Sequence, residues 1–166
     1  MQNTKFSQDN ILKFPTKFKN PYNKNSLNSI VIHFNDNNSN KDKYALLPGI
    51  INLLDITGQR PGIIKSNKSI SAFKIRKGME IGGILTLRKQ NLKNFINLLI
   101  LNWPVLNTAI KLNKFNNVTF GIVNNTKIFS TSIPICGLNI ILQFKGNNNE
   151  SNTLLLSSMG FPIINK

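Results

Sequence analysis

Apolar side chains recur along the chain with two different spacings, and each spacing predicts one kind of element. Short runs rich in β-branched and aromatic residues, such as Ser29–Phe34, are typical of β-strands when polar or glycine-containing segments bound them. The strands predicted in this way are 29–34, 62–65, 83–88, 118–123 and 138–144. The polar stretch 36–42 follows the first of these strands and predicts a loop.

Helical spacing marks four other segments. One of them carries apolar residues at i, i+3, i+4 and i+7, from Leu92 to Leu99, and predicts an amphipathic helix that ends before Pro104. Gly58 and Gly160 each stand just past another predicted helix, where glycine readily adopts the left-handed conformation that ends a helix. The predicted helices are 4–14, 46–56, 90–101 and 150–159.

The order of these elements predicts an α+β fold with one antiparallel or mixed sheet of about five strands. A length of 166 residues suits roughly one domain. We divide the chain into a short basic N-terminal extension, 1–17, and a single domain, 18–166, that contains a basic loop, 65–78.

Charge narrows the choice of partner. Lys and Arg number 21 against six Asp and Glu, and the resulting net charge of +15 favours RNA, DNA or an anionic membrane surface. The single Cys and single His exclude a disulfide framework and Cys-based or multi-His metal centres within the chain. No phosphate-binding loop, zinc-protease or nucleophile-elbow motif occurs. We therefore expect no catalytic residues, no metal and no cofactor, and we interpret His33, Cys136 and Trp103 as packing residues.

The frequencies of individual amino acids are unusual as well. Asn occurs 28 times and Arg only three times, which is typical of a gene rich in A/T codons, as in an organelle genome or an A/T-rich bacterium. Residues 1–24 contain no Arg and no apolar run, so they resemble neither a mitochondrial presequence nor a secretory signal. No apolar run approaches the length of a membrane span, and we expect no membrane partner.

The positive charge is concentrated in one window. Residues 60–93 carry a net charge of +8, from six Lys, three Arg and one Glu, and this window holds every Arg of the chain. Arg60, Arg76 and Arg88 have persisted although the codon bias works against Arg. Because the planar guanidinium can bind a phosphate through two hydrogen bonds and can stack, these arginines are the best candidates for nucleic-acid contact.

The basic loop 65–78 interleaves cations with hydroxyl and apolar side chains. Cations neutralise phosphates, hydroxyls bond phosphate or 2′-OH oxygens, and an aromatic ring can stack on a base. The residues concerned are Lys65, Lys68, Lys74, Arg76 and Lys77, with Ser66, Ser69, Ser71, Phe73 and Ile75 between them. We interpret the loop as an RNA contact; the alternative is a solvated basic hairpin with Phe73 and Ile75 turned into the core.

Several ordered motifs resemble one family. They are Phe18-Lys-Asn-Pro21, Ser29-Ile-Val-Ile32, Ile56-Thr-Gly-Gln-Arg-Pro61, Lys68-Ser-Ile70, Ala72-Phe-Lys-Ile-Arg-Lys-Gly78, Ile81-Gly82, Leu85-Thr-Leu-Arg88 and Gly160-Phe-Pro162. Together they resemble the bacterial-type large-subunit ribosomal protein five, which binds 5S rRNA in the central protuberance. The likeness spans about residues 18–163, and it is strongest over 56–88.

The resemblance implies an antiparallel sheet with helices packed on one face, and an RNA-binding surface formed by the other face and the first helix. The positions that face 5S rRNA in the family match His33, Gln59 and Thr86, with Arg60 and Arg88 beside them. His33 stands where the family usually has Asn, and 35–38 replaces a glycine-rich stretch. Ala72 and Lys89 both stand where the family usually has Gly.

The resemblance also implies further partners. The basic loop corresponds to the family's contact with P-site tRNA, which here would use Lys65, Lys68, Ser69, Phe73, Lys74, Arg76 and Lys77. Neighbouring large-subunit proteins and a small-subunit head protein across the subunit interface are the other expected partners. With the codon bias, we expect residence in a mitochondrial ribosome, encoded by the organelle, with a plastid or an A/T-rich bacterial cytoplasm as the alternative.

Three other functions compete with the ribosomal one. A nucleic-acid enzyme would need clustered carboxylates for metal ions, and the six present form no such motif. A membrane-surface protein would need a basic amphipathic helix, whereas the charge here is concentrated in a loop. A non-ribosomal RNA-binding regulator would use the same chemistry as a ribosomal protein, and it remains the alternative.

Overall fold

The structure is a computed structural model of the chain. It describes residues 26–35, 44–106, 117–122, 137–145 and 149–161. The predicted helix 4–14, the predicted loop 36–42, Cys136 and the side chain of Trp103 lie outside the described residues.

Five strands form one antiparallel sheet. They are β1 (Ser26–Asn35), β2 (Gly62–Lys65), β3 (Glu80–Leu87), β4 (Val118–Ile122) and β5 (Leu138–Lys145). Their order across the sheet is β2-β3-β1-β5-β4, and every neighbouring pair is antiparallel. The α+β prediction with about five strands is confirmed. Strands β1 and β3 begin three residues before their predicted starts, because strand partners on neighbouring segments offset the low strand propensity of those residues.

The sheet buries one face and leaves the other open. Ile30 of β1 lies between Leu87 of β3 and Leu142 of β5, and all three side chains are buried. The next residue, Val31, is only half-buried and pairs with the exposed Thr86. Successive side chains of a strand point to opposite faces of the sheet. The face that carries Val31 and Thr86, opposite the buried face, is what we call the open face. On the three central strands it carries Val31, His33, Ile84, Thr86, Asn139 and Ile141.

Three α-helices are described, namely α1 (Leu47–Thr57), α2 (Lys89–Leu106) and α3 (Asn149–Ser158). Pro48 lies in the first turn of α1, where the N–H that proline lacks has no helical partner anyway. Gly58 at φ 67° and Gly160 at φ 90° follow α1 and α3 in the left-handed region, as predicted. Beyond Gly160, the N–H of Phe161 donates to the carbonyl of Leu156 at 3.1 Å and closes the last turn of α3.

Helix α2 is longer than predicted. It continues through Pro104 to Leu106, so the prediction that it ends before Pro104 is wrong. Proline removes one backbone hydrogen bond and crowds the carbonyl four residues earlier, which destabilises a helix most when many residues follow. Here the buried apolar residues from Leu92 to Leu99 hold the preceding turns against the sheet, which compensates for the proline.

The helices cover one face of the sheet. Leu53 of α1, Phe95 and Leu99 of α2 and Leu156 of α3 all belong to the core cluster formed on the buried face. The one-sided arrangement that the family resemblance implies is therefore present. No described helix combines the length and the hydropathy needed to cross a membrane.

Two glycines fix the distance between α1 and the sheet. The ring of the fully buried Phe34 lies between Gly49 of α1 and Gly83 of β3. A Cβ atom added to either glycine would overlap carbon atoms of that ring. The absence of a side chain at both positions thus lets α1 pack directly over β1 and β3.

Candidate nucleic-acid interface

A concavity of about 560 Å³ opens where the C-terminal end of α1 meets the junction of β3 and α2. The residues that line it are Gln59, Thr86, Arg88, Lys89, Gln90 and Asn91. Three of the five residues that the sequence assigned to rRNA contact, Gln59, Thr86 and Arg88, therefore meet in one place. In the part of the chain that the structure describes, no group of three or more His, Cys, Asp or Glu could hold a metal ion.

Gln59 is positioned by the capped end of α1. The N–H of Gly58 donates to the carbonyl of Leu54 at 2.7 Å, and the left-handed conformation of Gly58 ends the helix. The N–H of Gln59 then donates to the Thr57 hydroxyl oxygen at 3.3 Å, and that hydroxyl in turn donates to the carbonyl of Leu53. These bonds tie the half-buried Gln59 to the last turn of α1 and aim it at the end of β3.

The junction of β3 and α2 supplies the other side of the concavity. Thr86 is exposed on the open face, whereas its neighbours Leu85 and Leu87 are buried. Helix α2 starts directly after Arg88, whose carbonyl accepts from Leu92 at 3.4 Å, and the first turn carries no acidic residue. The partial positive charge of a helix N-terminus therefore adds to the charges of Arg88 and Lys89 and makes the concavity attractive to anions.

Lys89 has an unusual backbone conformation. Its φ of 53° lies in the left-handed region, which costs a residue with a side chain roughly 1–2 kcal/mol. This is one of the two positions where the chain departs from the glycine of the family it resembles, and glycine would adopt this φ without strain. The side chain at this strained position is a lysine, and it lies at the edge of the concavity.

His33 lies on the open face, outside the lining of the concavity. It pairs with Ile84 of β3 on one side and with Asn139 of β5 on the other. Its Nε2 atom is 3.2 Å from Nδ2 of Asn139, so the amide and the half-buried ring hold each other in place. Ile84 is two residues from Thr86, and His33 therefore shares the face from which Thr86 reaches the concavity.

The basic loop forms an ordered hairpin between β2 and β3. Ser66 bonds through its backbone with both Gly78 and Met79 at 2.8 Å, and Ile70 and Ile75 exchange two backbone hydrogen bonds. A 3₁₀ turn, Ser71–Phe73, forms the tip. Lys74 follows it at φ 55°. The Ser69 hydroxyl accepts the N–H of Lys77 at 3.0 Å, so Ser69 also stabilises the hairpin.

The side chains of the basic loop point outward. All seven residues assigned to tRNA contact are exposed, and Phe73 is 66% exposed at the tip, so the alternative in which Phe73 turns into the core is wrong. Ile75 is half-buried. Lys65 forms an ion pair with Glu80 at 3.8 Å, but both side chains are largely exposed and the pair contributes little.

The concavity and the basic loop lie at opposite ends of one pair of strands. The basic loop joins β2 to the start of β3, whereas Thr86 and Arg88 stand at the other end of β3. Strand β3 is eight residues long, which corresponds to a distance on the order of 20 Å between its ends. Arg60 is exposed just before β2, near the concavity but not in its lining.

No family model matches the chain. Among its curated relatives, the large ribosomal subunit protein uL5 of Corynebacterium diphtheriae is 28% identical over 96% of this chain and 86% of its own length. The large ribosomal subunit protein uL5 of Cutibacterium acnes is 30% identical over 87% of this chain and 74% of its own length. The chain belongs to the uL5 family. Neorickettsia sennetsu contributes another uL5 relative, 30% identical over 75% of this chain and 76% of its own length. The family resemblance inferred over residues 18–163 is thereby confirmed.

Sequence reasoning did not include four residues that the structure places in the candidate interface of this uL5-family chain. Lys89, Gln90 and Asn91 line the concavity, and Asn139 contacts His33. The first three follow Arg88 directly at the start of a predicted helix, a position that could have indicated an anion-binding helix N-terminus. Asn139 occupies an alternate position of a predicted strand, but only the pairing of β1 with β5 shows that it faces His33.

Proposed function

We propose that this chain is a structural protein of the large ribosomal subunit that binds rRNA through the concavity and the adjoining open face. The observation that carries the proposal is the convergence of Gln59, Thr86 and Arg88 from separate elements in one positively charged depression. Membership of the uL5 family supports it, because the relatives are named as proteins of the large ribosomal subunit.

The chemistry of the concavity suits RNA. Arg88, Lys89 and the N-terminus of α2 would neutralise phosphates. The hydroxyl of Thr86 and the amides of Gln59 and Gln90 can exchange hydrogen bonds with base edges and with 2′-OH groups, and the 2′-OH is the group that distinguishes RNA from DNA. Binding, rather than catalysis, is the activity that this set of side chains supports.

The basic loop is proposed as the contact with P-site tRNA. Five exposed cations would neutralise phosphates of the tRNA backbone, and the exposed ring of Phe73 could stack on a base or ribose. The placement in the central protuberance and the contacts with neighbouring large-subunit proteins and a small-subunit head protein rest on the family resemblance. The proposed residence in a mitochondrial ribosome rests on the high Asn and low Arg content.

The double variant Gln59→Ala/Thr86→Ala tests the rRNA site. It removes two hydrogen-bonding side chains from the concavity without changing charge or the buried core. We expect it to reduce the occupancy of the chain in sedimented large subunits several-fold. The matched control is Asn97→Ala/Ser157→Ala, which removes one amide and one hydroxyl from exposed helical positions and should leave occupancy unchanged.

Sedimentation after a high-salt wash separates the ribosomal function from the alternative. A ribosomal protein remains with large subunits under these conditions, whereas a free RNA-binding regulator is found in the light fractions. Normal occupancy of Gln59→Ala/Thr86→Ala would remove the concavity from the rRNA interface. Absence of the wild-type chain from washed subunits would overturn the proposed function as a whole.

A further inference from the structure

Helix α1 is apolar on two sides, and the described residues of the chain cover only one of them. Its inner side packs into the core through Leu53 and the half-buried Ile50 and Ile56. The opposite side carries an outer stripe of Tyr44, Leu47, Ile51 and Leu54, which are 75%, 46%, 43% and 43% exposed. A helix that is apolar all round is ordinarily buried on all sides, so the outer stripe indicates that a further surface covers α1.

The spacing of the outer stripe suits a helix as the partner. Successive members are three, four and three residues apart, which is the spacing that presents a narrow apolar seam to a second helix. Tyr44 precedes α1 but is held to it, because its carbonyl accepts the N–H of Leu47 at 3.0 Å. The stripe spans about three helical turns, or on the order of 15 Å. Leu101 and Leu154 are exposed too, but they lie on α2 and α3.

The charge of α1 disfavours a nucleic acid as the occupant. Asp55 is exposed and is the only ionisable residue of α1, although the chain as a whole carries +15. The carboxylate of Asp55 repels phosphates, and α1 itself carries no cation that could neutralise them. A second copy of the chain is disfavoured as well, since α1 offers no cation to pair with the Asp55 of a second α1 and the two copies repel each other through their net charge.

We propose that the outer stripe of α1 docks an amphipathic helix of another protein, with an apolar seam against Ile51 and Leu54 and a Lys or Arg facing Asp55. The helix-in-groove mode of recognition uses this pattern of apolar anchors. The surface lies on the helix-covered side of the sheet, opposite the open face. Neither Ile51 nor Leu54 lines the concavity, so the docking uses other side chains than the proposed rRNA contact.

A photo-crosslinking residue in place of the exposed Tyr44 tests this proposal in cells that express the full chain. We expect a crosslinked peptide from another protein, with apolar residues three and four apart and a Lys or Arg among them. The crosslink should fall about tenfold or more in Ile51→Gln/Leu54→Gln, because two apolar anchors lose their buried contact. The control variant Leu101→Gln/Leu154→Gln makes equally polar changes on other helices and should leave the crosslink unchanged.

Charge reversal identifies the facing cation. Asp55→Lys should weaken the crosslink, and replacement of the partner's cation by Glu should restore it. A crosslink to RNA, to a second copy or to residues 1–25 of the same chain would overturn the proposal, as would the absence of any crosslink. Large-subunit occupancy of Gln59→Ala/Thr86→Ala is measured separately, so failure of the docking proposal is distinguishable from failure of the proposed function.

Discussion

At the scale of single residues, two cations of the proposed RNA contacts occupy a backbone conformation that ordinarily favours glycine. Lys74 and Lys89 both have φ near +55°, and both are cations at proposed RNA contacts. The left-handed conformation is unfavourable for any residue with a Cβ atom. At these two positions backbone strain therefore accompanies positive charge at a proposed RNA contact.

Replacement of Lys89 by glycine should change stability and binding in opposite directions. Lys89→Gly relieves the left-handed strain, which outweighs the extra freedom of glycine in the unfolded chain, and we expect the free energy of unfolding to rise by about 0.5–1 kcal/mol. The same change removes one phosphate contact, so the salt dependence of RNA binding should fall by about 0.7–0.9 log units per tenfold change in salt. Urea unfolding and RNA titrations at several salt concentrations measure the two effects.

Lys89→Ala is the matched control for that experiment. Alanine loses the same charge but keeps the Cβ atom and hence the strain at φ 53°. We expect the same loss of salt dependence without a gain in stability. A gain of equal size with alanine would show that the lysine side chain, and not the backbone, is the source of the strain.

At the scale of elements, α1 is placed by a contact that helix propensity alone would not favour. Glycine in a helix costs about 0.5–1 kcal/mol relative to alanine. Gly49 nevertheless lies in the first turn of α1, because the ring of Phe34 fills the space that a Cβ atom at this position would need.

Replacement of Gly49 by alanine should therefore destabilise the protein. We expect Gly49→Ala to lower the free energy of unfolding by about 1–3 kcal/mol through overpacking against Phe34, despite the better helix propensity of alanine. Urea denaturation measures the change. Asn97→Ala, at an exposed position of α2, isolates the effect of helix propensity and should leave stability unchanged or slightly increased. Equal effects of both variants would contradict the close packing of α1 on the sheet.

The charge of the basic loop can be changed by substitutions that keep the backbone hydrogen bonds of its hairpin. Arg76→Glu/Lys77→Glu changes two exposed side chains but keeps the N–H of Lys77 that binds the Ser69 hydroxyl. We expect a reduced affinity of large subunits for P-site tRNA and little change in the urea midpoint. Lys93→Glu/Lys145→Glu, which reverses two exposed charges elsewhere, is the charge-matched control. Unfolding of the loop variant would mean that these side chains stabilise the fold itself.

At the scale of the whole molecule, the two proposed RNA contacts should act independently. A separation on the order of 20 Å exceeds the Debye length of about 8 Å at physiological salt. Arg76→Glu/Lys77→Glu should therefore leave the affinity for an isolated rRNA fragment within about 0.5 kcal/mol of wild type, and its effect should add to that of Lys89→Ala. Titrations of the four variants of this cycle measure the coupling, and strong coupling would indicate one continuous RNA site.

Local patterns along the sequence were sufficient for most elements. All five strands and three of the predicted helices are present, because alternation, helical spacing and the caps at Gly58 and Gly160 act over a few residues. The continuation of α2 through Pro104 was not predicted, because it depends on the packing of the preceding turns against the sheet. Local rules are least reliable where tertiary contacts compensate for an unfavourable residue.

The sequence by itself determined the fold class, the family and the clustering of charge in residues 60–93. Only the tertiary structure decided that Gln59, Thr86 and Arg88 share a concavity and that Asn139 faces His33. These juxtapositions join residues about 27 to 106 positions apart. They follow from strand order and register, which are set by the packing of the whole sheet rather than by any local pattern.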